Sequence, residues 1–131
     1  MEYKYKKESE LSFEDTVMRT KDELSKEGFG VLTEIDVRAT LKQKLGVEYG
    51  NYIILGVCNP SLAHQALLAE KEVGLFMPCN VIIYEEDGKN FVSAMMPTVA
   101  LQAMSNSVIE KIAKQAEEKL RRVVDNIKNN N

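Results

Sequence analysis

Beyond Ser105, the residues Ile109, Ile112, Ala113, Ala116, Leu120, Val123, Val124 and Ile127 recur three or four positions apart. That spacing puts them on one stripe of a helix predicted to begin at Ser105-Asn106-Ser107 and run to about Lys128, roughly 30 Å at 1.5 Å per residue. Glu110–Lys114, Glu117–Arg121 and Glu118–Arg122 are i,i+4 pairs on its outer side, worth about 0.2–0.5 kcal/mol each. The pairs favour the helix, and the stripe has to be covered. A helix of this length matches the width of a small domain, so the preceding residues must supply a packing layer, and the helix end is free to overhang onto a second subunit. The closing NIKNNN, residues 126–131, is expected to fray.

The preceding segments supply strands and helices in turn. EYKYKK alternates charged residues with Tyr3 and Tyr5, a short strand whose lysines protect an edge. Ser12 stands three residues before Asp15, the spacing of a capping box, and Phe13, Val17 and Leu24 keep a helical interval up to Gly28. FGVLTEI reads as a strand with Phe29, Val31, Thr33 and Ile35 on one side. Asp36 then caps a short helix with an inner stripe of Val37, Leu41 and Leu45, stopped by Gly46. NYIILGVC is apolar on both faces and reads as a central strand, and a helix follows from about Pro60 to Val73. Strands 79–86 and 89–96 flank Asp87-Gly88, a two-residue hairpin signal that pairs them antiparallel; TVALQAM adds a helical turn or two. The sum is one α+β domain over 1–131: a mixed or antiparallel sheet of about five strands, helices on one face and a long C-terminal helix.

Composition removes several function classes. A net charge of −3 with no basic run gives no footprint for nucleic acid. No apolar window approaches a membrane span or a signal peptide, so the expected location is cytoplasmic, with no membrane partner. Two cysteines in such a compartment are expected as reduced thiols. GFGVLT lacks the third glycine of a dinucleotide fingerprint and precedes a strand instead of a helix. A four-ligand zinc site would need a carboxylate beside the two cysteines and the single histidine.

What chemistry the chain can carry lies in GVCNPSLAHQALL, residues 56–68, and LFMPCNVIIY, residues 75–84. Asn59 caps a helix, Pro60 occupies its first turn, and Cys58 ends the strand before it. A thiol there feels the positive end of the helix dipole, which favours thiolate and metal affinity; a buried inert thiol is the alternative. His64 shares a helical face with Ser61, Gln65 and Leu68, which reads as solvent-facing, although one turn from Pro60 it can also bend toward the loop before Cys79. Whether Cys58 and Cys79 meet depends on topology. A parallel crossover leaves them about 20 Å or more apart. An antiparallel return, which the five residues GLFMP are long enough to allow, sets them side by side.

Gly28-Phe29 with Val31-Leu32, Glu34 through Val37, Leu41-Lys42, Leu45-Gly46, Tyr52 through Gly56, Cys58-Asn59-Pro60, Leu62-Ala63, Ala66-Leu67, Gly74-Leu75, Pro78 through Val81, Tyr84-Glu85 and Gly88 together resemble the domain-of-unknown-function 302 family. The likeness spans roughly residues 28–97, and the flanks are similar too. It implies a compact α+β fold, often dimeric, without an established activity. A form of the family with glycine before Asn-Pro and leucine after the later proline lacks both thiols, so the cysteines mark a subgroup. The expectation is a binding domain, a homodimer, that takes a small ligand or soft metal ion near the Asn59-Pro60 and Pro78-Asn80 turns. Its site residues are Cys58, Asn59, His64, Cys79 and Asn80, with Cys58 and Cys79 as the metal ligands if a metal is held. No cofactor is specified. A thiol redox or covalent-thiol enzyme and a structural interaction module are the alternatives.

Overall fold

A computed structural model of the chain describes residues 2–127. Five strands, β1 (Lys4–Ser9), β2 (Gly30–Asp36), β3 (Tyr52–Cys58), β4 (Cys79–Glu86) and β5 (Lys89–Met95), form one sheet in the order β1-β5-β4-β3-β2. Every neighbouring pair is antiparallel, which settles the choice between a mixed and an antiparallel sheet. The helices are α1 (Phe13–Lys26), α2 (Val37–Leu45), α3 (Pro60–Ala69), α4 (Pro97–Ala100) and α5 (Ser107–Asp125), with 3₁₀ turns at Lys71–Phe76 and Gln102–Met104. The expected helix end at Lys128 and the tail after it lie outside the described residues.

Local chemistry sets the element ends. Ser12 Oγ accepts from the Asp15 amide at 3.1 Å, Asp36 Oδ1 from Ala39 at 2.9 Å, and Asn106 Oδ1 from Val108 and Ile109, so three helices start on capped amides. At the hairpin both Asp87 and Gly88 have positive φ, 54° and 77°, the combination a two-residue turn needs to match strand twist. The helix expected to reach Val73 stops at Ala69. Glu70 turns extended and its carboxylate accepts from the Glu72 amide at 3.1 Å, which starts the 3₁₀ turn in place of another helical turn.

Strand alternation divides the sheet into two faces. Leu55, Val57, Val81, Ile83, Val92 and Ala94 point to one, where Leu24 of α1 and Leu120, Val123 and Val124 of α5 close over them. A second cluster of Leu62, Ala66, Val73, Ile109, Ile112 and Ala116 joins α3 and the 3₁₀ turn to the start of α5. The α5 stripe is therefore buried within its own chain from Ile109 to Ile127. The short helix α2 differs in the opposite sense. Its stripe was expected to be internal, yet none of its residues is buried and Leu45 is 69% exposed. The reason is position: α2 follows β2, the edge strand, all seven residues of which are exposed, so among the described residues no further layer covers this edge.

Candidate functional site

The antiparallel β3–β4 ladder pairs Val57 with Cys79 and Gly56 with Asn80, so the backbones of Cys58 and Cys79 are neighbours and the parallel alternative is excluded. Val57 faces the covered side, and Cys79, its direct partner, packs against the same core. Alternation carries Cys58 the other way, so the two thiols flank the end of the sheet without facing each other across one ladder pair. Both remain free cysteines and both border one pocket, together with Phe29, Asn59, Phe76 and Met77. Its volume is about 60 Å³. Small side chains leave that space: Ala63 and Ala66 come from α3, Ala113 and Ala116 from α5.

Burial raises the Cys79 thiol, pushing it up to about 11, with the neighbouring Cys58 adding a smaller upward contribution. Burial also raises Cys58. The lowering expected from the α3 dipole is outweighed, and the geometry gives a reason. Cys58 precedes the cap, and the free Leu62 amide is taken by Asn59 Oδ1 at 3.2 Å. Asn59 also donates through Nδ2 to the Glu27 carbonyl at 3.3 Å, tying the start of α3 to the end of α1. Both ends of its amide are thus used by the fold. Gly28 takes φ +82° at this junction, and a Cβ there would stand 3.1 Å from Asn59 Nδ2. Gly56 is held more tightly, because a Cβ would stand 2.8 Å from Pro78 Cγ and closer still to Thr33 Oγ1.

The five predicted site residues divide. Cys58, Asn59 and Cys79 meet at the pocket. His64 is exposed on α3 and does not border it, and Asn80 is exposed and lines a groove on the open face of the sheet. Among the described residues no three or more His, Cys, Asp or Glu side chains are grouped to hold a metal. Met77 brings a third sulfur to the pocket, which a search confined to cysteine and histidine passes over although it stands two residues before Cys79.

The groove on the open face, about 700 Å³, was also missed. Three rings of a row line it, Tyr49 and Tyr52 at 6.2 Å between centroids and Tyr52 and Tyr84 at 5.5 Å, and the row continues beyond it from Tyr84 to Phe91 at 5.4 Å. Burial, then the nearby Tyr49 and Tyr84 hydroxyls, raise the Tyr52 phenol. Lys6 closes one end, its Nζ 4.5 Å from the Phe91 ring and 5.1 Å from that of Tyr84. The signal was present as tyrosines and phenylalanine at same-face positions, but only strand order makes them a row.

The model of the DUF302 family, a domain of unknown function, matches residues 5–127. The chain belongs to the DUF302 family. The likeness read at 28–97 thus extends through β1 and α5. The crystal structure of an uncharacterized conserved DUF302 protein from Bacillus stearothermophilus is similar over 98% of this chain and 100% of that one, with a TM-score of 0.92 and 29% sequence identity. No curated protein matches. Among the described residues, no helix of this DUF302 domain is long and apolar enough to cross a membrane.

Proposed function

We propose that this DUF302 domain binds a small soft ligand at the β3–β4 end of the sheet, and that a soft monovalent metal ion is the occupant that fits best. The observation that carries the reading is the pocket bordered at once by Cys58, Cys79 and Met77. Thiolate and thioether donors in apolar surroundings select ions of the Cu(I) type over hard cations. Sites for organic cofactors are roughly 300–1,000 Å³, whereas this space of about 60 Å³ admits an ion or a few atoms. An enzyme working through a thiolate is less well supported, since burial raises both thiols and keeps them protonated at neutral pH. A metal ion would displace those protons, so affinity should rise with pH. A reducing, cytoplasmic setting is the one in which two free thiols would stay available.

Titration with Cu(I) against a competing chelator, or with Ag(I) as its redox-inert surrogate, tests the reading. One ion per chain is expected, lost on Cys79→Ser and weakened on Cys58→Ser. Binding indifferent to both substitutions ends the proposal.

A second reading, a homodimer, is favoured by the arm formed by β2 and α2. It exposes Leu32 at 64%, Ile35 at 46% and Leu45 at 69%, apolar surface of the kind that marks an interaction site. Light scattering on the full chain should give twice the monomer mass, reverting to the monomer on Leu45→Glu. A monomer at all concentrations overturns it.

A further inference from the structure

The row of rings on the open face has two unlike ends. At one, Lys6 lies against Phe91 and Tyr84 and supplies the positive charge that an aromatic face attracts. At the other, the Tyr49 and Tyr52 rings are inclined at 49° to each other and open onto the groove with no cation of the chain over them among the described residues. Glu86, on the same face of β4 as Tyr84, borders the same groove, as do Lys4 and Lys6. The backbone that carries the two rings is fixed from the other face of the sheet: the Glu85 amide donates to the Asn51 carbonyl at 3.0 Å, Asn51 Nδ2 donates to Glu85 Oε1 at 2.9 Å, and Arg38 Nη1 donates to Asn51 Oδ1 at 3.0 Å. Arg38 is thereby directed at Asn51, Lys42 pairs with Glu48, and Lys4, which lines the groove, lies over the Tyr3 ring and pairs with Glu2.

We propose that the Tyr49–Tyr52 end of the row is a binding site for a small organic cation of the alkylammonium class, with the Glu86 carboxylate as its counter-charge. Two ring faces offer the negative quadrupole that draws a diffuse cation. A quaternary or alkylated ammonium loses little hydration on leaving water for such a corner, which distinguishes it from a metal ion. The groove is large enough, at about 700 Å³, to admit the rest of an organic molecule. This site lies on the open face, apart from the sulfur-bordered pocket, and stands independently of the metal reading.

Choline and its uncharged isostere 3,3-dimethyl-1-butanol, titrated into the full chain while the tyrosine ring signals are followed by NMR, separate charge recognition from simple apolar contact. Saturable choline binding with shifts at Tyr49 and Tyr52 is expected, at least several-fold tighter than that of the isostere. Tyr52→Leu should weaken choline roughly 2- to 30-fold, the span of a single cation–π contact, whereas Tyr52→Phe keeps most of the affinity. Tyr49→Ala, in the loop before β3, gives the same loss without touching a strand. Glu86→Gln should weaken choline and leave the isostere unchanged. Equal binding of the two probes, indifference to both tyrosine substitutions, or no saturable choline binding at millimolar concentration would overturn the proposal.

Discussion

The same strands present two different surfaces. On the covered face Leu55, Val57, Val81, Ile83, Val92 and Ala94 are aliphatic and at most 1% exposed, closed over by α1 and α5. On the open face Tyr52, Ile54, Ile82, Tyr84, Phe91 and Met95 stay half-buried, and aromatic rings stand among lysines, carboxylates and amides. Aliphatic side chains interdigitate and exclude water, which is what a core requires. Rings carrying hydroxyls can stay wet on one side and still recognise a partner. The difference teaches that the covered face determines whether the chain folds, while the open face can change without unfolding it. The pocket at Cys58 and Cys79 lies where the two regimes meet.

The largest effect belongs to the covered face. Leu120 is fully buried at the centre of the α5 stripe, so Leu120→Ala removes transfer free energy and leaves a cavity between α5 and the sheet. Its expected cost is about 2–5 kcal/mol in urea unfolding. A cost below 1 kcal/mol would mean that α5 is not the principal cover of the sheet.

Cys79 comes next. Its thiol is raised from 9.0 to about 11 by burial, so between these values the unfolded chain has lost the proton that the folded chain keeps. Stability is therefore full below about pH 9 and falls as pH rises through the folded value, by about 2–3 kcal/mol in all. Cys79→Ala should flatten the alkaline limb of the stability profile relative to the parent. Superimposable slopes for the two proteins would show that the Cys79 site is wet, and the contrast between the faces would fail at its edge.

How much of this could be read in advance follows the range of the interactions. Ser12, Asp36, Asn106 and the Asp87-Gly88 turn act on amides a few residues away, and each was legible. The α5 stripe was legible as a helix but not as to what covers it, because its partners are strands remote in sequence. The meeting of Cys58 and Cys79 depended on the segment from Lys71 to Pro78 carrying the chain back to the same end of the sheet, and no periodicity encodes that return. The unburied stripe of α2 and the row of rings failed to be legible for a related reason. Val37, Leu41 and Leu45 look like any inward stripe until β2 is known to be an edge, and Tyr52, Tyr84 and Phe91 form a row only in the order β3-β4-β5.

The smallest effect tests the open face directly. Tyr84 sits in the middle of the row, between Tyr52 on β3 and Phe91 on β5, and Tyr84→Leu keeps an apolar side chain at the position while removing both stacked contacts. Cross-strand pairs of this kind contribute roughly 0.2–1 kcal/mol each, and leucine recovers part of the lost area. The expected destabilisation is thus about 1 kcal/mol or less, well under that of Leu120→Ala. The substitution also frees Lys6 from one of its two rings, so the lysine's NMR signals should move. A loss of several kcal/mol would show that something covers this face in solution, because only a buried ring is worth that much. Shifted Lys6 signals with nearly unchanged stability would instead mark the row as a surface kept open for contact.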